Sequence, residues 1–370
     1  MRILFFFGTR PEAIKMAPLI KEFQKSSGGI DVKICVSAQH REMLDQVLHF
    51  FEIQPDFDLN IMQQNQDLFD ITIEALKGIN EVMSRYKPDC LIVQGDTTTT
   101  FVGALAAFYE KVKVAHIEAG LRSFNKQAPF PEEMNRVLTT HLSDIHFAPT
   151  IRTKENLLRE GVLEDNIFVV GNTSIDALFL CLKKISEKRL DSFDSLKFVD
   201  FDKTIILVTG HRRESFGKPF ENICLALRMI AKNGNIEIVY PVHLNPNVRS
   251  LVLKILGKIP NIHLKEPLDY PSFVWLMNKS YIILTDSGGV QEEAPSLGRP
   301  VLVMRDITER TEGIDAGTAK IVGTDKDKIV KETLNLLADK TVYDKMAKAV
   351  NPYGDGNASK RIIDIISKVL

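Results

Sequence analysis

Strand-like and helix-like patterns alternate along the whole chain, which predicts an α/β protein of two Rossmann-like domains facing a central cleft. Two further observations carry that prediction. At 370 residues the chain is long for a single hydrophobic core. Its polar, glycine-bearing motifs also follow directly on apolar runs, and the carboxyl ends of parallel strands are where open α/β sheets collect their ligands.

In the first half, residues 3–7, 32–36, 90–93, 112–117, 145–148 and 167–170 are short β-branched or aromatic runs, predicting six strands of one sheet. Residues 12–24, 40–51, 70–86 and 98–109 carry apolar side chains at three- and four-residue spacing, as helices covering a sheet do. The second half repeats the pattern with runs at 205–208, 236–242, 262–264, 281–285, 301–304 and 321–322. Between the halves, residues 183–203 are dense in Lys, Asp, Ser and Glu and read as a solvated connector. The expected division is a first domain over 1–180, a connector over 181–203 and a second Rossmann-like domain over 204–356. Residues 357–370 have helical spacing at Ile362, Ile363, Ile365, Ile366 and Val369, and are expected to pack back on the first domain.

Lys and Arg total 47 against 48 Asp and Glu, so no bulk field draws a polyanion, and nucleic acid is excluded as a main partner. No uncharged apolar run approaches the roughly 18–20 residues that span a bilayer. The opening MRILFFFGTRPE turns polar too soon for a signal peptide. A cytoplasmic protein without membrane contact is expected. Cys35, Cys90, Cys181 and Cys224 are far apart and form no metal-ligand pattern, so no metal is expected and the thiols read as reduced packing residues.

Chemistry-bearing residues fall at predicted strand ends. Gly8-Thr9-Arg10-Pro11-Glu12 offers a tight turn, a proline suited to the first helical position and an anion seat at Arg10, with Lys15 one turn on. Gln94-Gly95-Asp96 precedes four threonines, and the plain reading of Asp96 is a helix N-cap. In His116-Ile117-Glu118, alternation predicts His116 and Glu118 on one face, one of them as a satisfied core residue. Glu132 and Glu133 lie in the first turn of a helix, where acids are favoured in any case. Three acids at the exits of different elements are what acid/base chemistry on a carbon centre requires.

In the second half, Gly210-His211-Arg212-Arg213 sets an imidazole beside guanidiniums. Ser287-Gly288-Gly289 exposes successive backbone amides at a helix start, a cradle for a diphosphate, with Glu293 placed for ribose hydroxyls and Arg310 after the next strand. No GxGxxG occurs, so a nicotinamide fingerprint is absent. These features describe a two-domain sugar-nucleotide site. They leave open an epimerase and a glycosyltransferase, which differ only in what happens at the sugar.

Taken together, GTRPEAIKMAPLI, GDTTTT, HIEAGLRS, PFPEEMNR, TGHRRESFG, TDSGGVQEEAP and TERTEG, in this order and spacing, resemble the non-hydrolysing UDP-N-acetylglucosamine 2-epimerase family over essentially the whole chain. The resemblance implies a glycosyltransferase-B fold, a homodimer, no cofactor, and interconversion of UDP-GlcNAc and UDP-ManNAc. It assigns UDP to Arg10, Lys15, His211, Ser287, Gly288, Gly289, Glu293 and Arg310, with Phe273 near the uracil. Chemistry falls to Asp96, Glu118, Glu132 and His211, the two carboxylates Asp96 and Glu118 also touching the substrate. The QGDT and HRRE forms separate the chain from the hydrolysing branch.

Several bacterial members bind a second UDP-GlcNAc as activator, and Gln39, His40, Arg212 and His243 match that pattern here. Glu42 and Asn65, however, stand where the family usually has glutamine and arginine. An added carboxylate and a lost cation disfavour a diphosphate, so weak or absent activation is expected.

Overall fold

Five of the six residues of RILFFF are buried in the opening strand, the pattern of a parallel strand covered on both faces. The computed structural model describes residues 1–370 apart from 26–28, 40, 64, 189–192 and 211–216. The chain divides into two units, Met1–Leu180 with Tyr353–Leu370, and Cys181–Pro352.

The first unit runs β1 (Arg2–Phe7), α1 (Arg10–Lys25), β2 (Asp31–Val36), α2 (Arg41–Phe51), β3 (Phe57–Asp58), α3 (Leu68–Tyr86), β4 (Cys90–Gln94), α4 (Thr98–Tyr109), β5 (Lys113–Ile117), α5 (Glu132–Leu142), β6 (Ile145–Ala148), α6 (Ile151–Arg159), β7 (Ile167–Val169) and α7 (Thr173–Glu187). Its strands form one parallel sheet in the order β3-β2-β1-β4-β5-β6-β7. The sheet has one strand more than the six predicted. The addition, β3, is a two-residue edge strand paired with Cys35 and Val36, too short to leave a pattern in the sequence. Leu4, Phe6, Leu91 and Val93 pack with Ala104 and Ala107 of α4 in one core cluster. Gly103 lets that helix close on the sheet, since a Cβ there would lie 2.6 Å from the Phe6 ring.

The second unit runs β8 (Thr204–Thr209), α8 (Lys218–Ile230), β9 (Ile236–Pro241), α9 (Pro246–Leu256), β10 (Ile262–Lys265), α10 (Tyr270–Lys279), β11 (Ile282–Thr285), α11 (Gly288–Glu293), β12 (Val301–Val303), α12 (Thr311–Asp315), β13 (Ala319–Ile321), α13 (Lys326–Ala338) and α14 (Lys340–Ala347). Its parallel sheet has the order β10-β9-β8-β11-β12-β13. The last strand starts two residues before the predicted run and leaves Val322 outside it, because β12 sets the register through the pair Val301 and Ala319.

α15 (Ala358–Val369) closes the chain in the first unit, against α1. The Asp176 carboxylate accepts the Ala358 and Ser359 amides at 3.2 and 2.8 Å. It thus sits at the positive end of the helix.

The stretch expected as a solvated connector has more structure than its charge suggested. α7 continues through it to Glu187. Beyond, the rings of Phe193 and Phe201 meet Trp275 at 5.8 and 4.9 Å, with Leu196 and Val199 buried, so the apolar minority of the segment decides its place. All four cysteines are buried and free. No described helix is long and apolar enough to cross a membrane.

Candidate active site

In the first unit the strand order reverses between β1 and β4, and the motifs ending β1, β4 and β5 gather at this switch point. The turn after β1 is closed on its side-chain face. A Cβ on Gly8 would lie 1.9 Å from Ser37 Oγ. α1 begins at Arg10, one residue earlier than the proline predicted to open it. Arg10 therefore stands on the first turn of the helix, partly exposed.

Glu12 organises this turn. It is 1% exposed and accepts the Gly8 and Thr9 amides at 3.1 and 2.8 Å, and the hydroxyls of Thr9, Thr97 and Thr100 at 2.7, 2.8 and 3.0 Å. Burial pushes its carboxyl up, while these hydrogen bonds pull it back. The carboxylate thus joins the turn after β1 to the start of α4. Sequence reasoning passed it over because an acid in a first helical turn is ordinary; the available signal was three threonines in two separated motifs.

Asp96 is not the N-cap of α4. Thr97 takes that place, its hydroxyl accepting the Thr100 amide at 3.1 Å. Asp96 instead receives Arg136, at 2.7 Å from Nε and 2.6 Å from the terminal nitrogen, and its carbonyl accepts Asn135 Nδ2 at 3.0 Å. Arg136 also reaches Glu133 at 3.0 Å. Glu133 in turn holds the Ser123 and Phe124 amides, each at 2.9 Å. Of the two acids that open α5, Glu133 is therefore the structural one. Glu132 keeps a buried Oε2 with no hydrogen-bond partner among the described residues.

The alternation predicted for His116 and Glu118 stops short of Glu118. β5 ends at Ile117, and Glu118 turns into the left-handed region with φ of 66°. A non-glycine residue held there costs on the order of 1–3 kcal/mol and persists only where its surroundings enforce it. The enforcing partners are Lys15, whose ammonium donates to Glu118 Oε2, and Asn172, whose Nδ2 donates to the same oxygen at 2.9 Å. Lys15, expected as a second cation for a bound anion, is thus engaged with a carboxylate. His116 is the core residue of the pair, its Nε2 hydrogen-bonded and its buried Nδ1 without a partner among the described residues. Buried, with Nε2 2.8 Å from the Gly95 carbonyl, it has its pKa lowered by desolvation to about 3 and donates as a neutral ring.

In the second unit the reversal falls between β8 and β11, which are tied by Thr209 and Thr285 hydroxyls 2.5 Å apart. Thr285 Oγ1 accepts the Ser287 amide at 2.9 Å and so shapes the turn into α11. A Cβ at Gly289 would meet nothing within 4 Å, whereas one at Gly288 would lie 3.1 Å from Arg310 Cζ. Arg310 is thus laid beside the glycine turn, held by Glu292 and Glu309, each at 2.9 Å. Glu293 is buried at the end of α11, and Phe273 is half-buried on α10. His211, Arg212 and His40 lie outside the described residues. Gln39 accepts from Thr99 at 3.4 Å, and His243 Nδ1 accepts the Asn245 amide at 3.1 Å. Glu42 and Asn65 are both exposed.

Parallel α/β units with polar turns gathered at both switch points place the chain in the glycosyltransferase-B-like class of folds. A family model described as UDP-N-acetylglucosamine 2-epimerase matches residues 21–367. The chain belongs to that family. It is 55% identical to UDP-N-acetylglucosamine 2-epimerase of Escherichia coli K12, over 99% of this chain and 98% of that one. Among solved structures, the UDP-GlcNAc 2-epimerase of Neisseria meningitidis bound to UDP-GlcNAc is similar at a TM-score of 0.91 and 51% identity, over 100% of both chains. The enzyme of Methanocaldococcus jannaschii in complex with UDP-GlcNAc and UDP gives 0.82 and 36%, again over 100% of both.

Proposed function

We propose that this chain interconverts UDP-GlcNAc and UDP-ManNAc by anti elimination of UDP to 2-acetamidoglucal and re-addition of UDP. The observation that carries the reading is kinship to UDP-GlcNAc 2-epimerases over the whole chain at more than half identity.

The chemistry follows from the substrate. No carbonyl flanks C2 of GlcNAc, so a bare carbanion there is out of reach. Loss of the C2 proton must accompany departure of the diphosphate from C1. A proton then returns to the opposite face of C2 while UDP re-adds at C1, and no redox step is needed. Two acid/base groups must reach opposite faces of C2, and they are drawn from Asp96, Glu118 and Glu132. Glu118 is held by two donors, which favour its carboxylate form and suit a base. Glu132 keeps a buried oxygen with no hydrogen-bond partner among the described residues, left to meet a bound sugar.

Arg10 and His211 assist the departing UDP, and Lys15 is among the residues that hold it. The amides from Ser287 to Gly289 hold its diphosphate with Arg310 beside them, while Glu293 takes the ribose and Phe273 the uracil. Residues 1–180 with the C-terminal helix form the sugar-processing domain, and the segment after the connector forms the UDP-binding one. The enzyme acts as a cytoplasmic homodimer that supplies ManNAc-derived sugars for cell-surface polysaccharide.

Incubation with UDP-GlcNAc in D2O, followed by proton NMR, tests the reading. UDP-ManNAc should appear and deuterium should enter C2 of both sugars. Product without deuterium would rule out the mechanism, and a protein that moves the sugar only to an added acceptor would be a glycosyltransferase of the same fold. Changing Asp96, Glu118 or Glu132 to its amide should lower turnover by roughly 10²–10⁴-fold while UDP binding is kept. A variant with unchanged turnover removes that residue from the acid/base pair.

A further inference from the structure

We infer that Asn172 is a positioning residue for Glu118, tying that carboxylate to the segment where the chain re-enters the first unit. The inference rests on the epimerase reading and adds a residue to it. Asn172 stands in the turn between β7 and α7, and both ends of its side chain and its backbone amide are hydrogen-bonded. Its Nδ2 donates to Glu118 Oε2 at 2.9 Å. Its Oδ1 accepts the Ser174 amide at 3.0 Å, closing the first turn of α7. Its own amide donates to the Tyr353 carbonyl at 2.7 Å. Tyr353 is the first residue after the chain returns from the second unit, and α7 is the helix on which it departs.

The backbone around Asn172 is built for close approach. Gly171 has φ of 93°, and a Cβ on it would lie 3.3 Å from Gly354 Cα. Gly354 has φ of 139°, a conformation closed to ordinary side chains. Asn172 is 3% exposed, so its amide group cannot trade these partners for water. Glu118 needs such support, because its left-handed backbone is held only by what surrounds it. The charged or titratable groups around Glu118 include Lys15 of α1 and His116 of β5, with His146 and Arg122 around His116. The ammonium of Lys15 supplies charge from a flexible stem, whereas the Asn172 amide supplies direction from a rigid turn. An amide donor at this position fixes which way Oε2 points.

Asn172→Asp separates this role from a structural one. The new carboxylate still accepts the Ser174 amide, but it replaces the donor to Glu118 with a like charge, which raises the carboxyl pKa of Glu118. The expected result is a 10–100-fold lower kcat, on the order of the loss of a positioned acid/base group. The acid limb of the kcat profile should move about one pH unit upward, and KM should stay within about twofold. In Glu118→Gln, whose uncharged amide removes the repulsion, adding Asn172→Asp should have little further effect on the residual rate.

An unchanged kcat and pH profile in Asn172→Asp, whatever its thermal stability, would overturn the inference. If that variant does not fold, Asn172→Ser serves. Its hydroxyl still caps α7 but is too short for Glu118, so kcat should fall, and an undiminished kcat would overturn the inference equally. Wild-type protein measured alongside keeps the two ideas apart. Absence of C2 deuteration in wild type defeats the epimerase reading itself, whereas a competent wild type with an indifferent Asn172→Asp defeats only the role of Asn172.

Discussion

His116 shows how a residue inside a chemistry-bearing motif can be part of the scaffold. Alternation predicted it on one face with Glu118, one of the two as a core residue, and its ring is sealed in the sheet and donates to the Gly95 carbonyl, which fixes the backbone just before Asp96. His146, on the neighbouring strand, is likewise desolvated, with its pKa lowered to about 4. Both rings are neutral in the folded protein at pH values where the unfolded chain, titrating near 6.5, already binds protons. Stability should therefore be fully present above pH 6.5 and fall as the pH drops, by about 1.4 kcal/mol per pH unit for each histidine. The fall continues to about pH 4 for His146 and about pH 3 for His116. Urea unfolding of wild type and His116→Gln across pH 6.5 to 4.5 measures the difference. The variant should lose stability more gently by that single-histidine slope, and parallel curves would show that His116 does not stay neutral. At the same scale, Asp96 and Glu118 were legible as acids at strand ends. Glu12, Arg136 and Asn172 were not, because each acts on partners distant in sequence, 88 residues away at Thr100 for Glu12, 40 at Asp96 for Arg136 and 54 at Glu118 for Asn172, and looks unremarkable beside its neighbours.

Elements were the most legible level. Buried parallel strands read as unbroken apolar runs and helices as spaced ones, so each predicted strand, and each helix predicted with bounds, lies within a few residues of a described element. Misses occurred where local pattern and tertiary contact disagree: the two-residue β3, and the charged segment whose few aromatic residues pack on Trp275. Glycine positions show the same limit. Gly120, in the turn after β5, and Gly161, after α6, both have positive φ, at 88° and 85°. A Cβ on Gly120 would lie 2.2 Å from the Thr153 carbonyl oxygen of α6, while one on Gly161 would meet nothing within 4 Å. Gly161→Ala should thus cost about 1 kcal/mol from backbone strain alone. Gly120→Ala should cost about 3 kcal/mol or more, because a helix backbone must move away. Equal losses in chemical denaturation would mean that α6 yields freely and that the tight contact carries no weight.

At the scale of the whole molecule, the two sheets share one logic: each reverses strand order once, and the polar motifs cluster at that reversal. Activation by a second substrate molecule belongs to this scale as well. Glu42 sits exposed in the first turn of α2, and Asn65 is exposed with φ of 60°, so neither supplies a cation for a diphosphate. Rates with UDP-ManNAc should rise hyperbolically and be unaffected by trace UDP-GlcNAc; a sigmoidal curve straightened by that trace would contradict the expectation.

By itself the amino-acid order determined that this is a two-sheet parallel α/β chain with acids and glycine turns at its strand ends, since periodicity and turn chemistry are local properties. Folding decided which of Glu132 and Glu133 is spoken for, that Glu118 leaves its strand in a left-handed turn, and that Glu12 and Asn172 hold the motifs in place. Those outcomes depend on hydrogen bonds between residues distant in sequence, and their donors and acceptors are paired only once the chain has closed on itself.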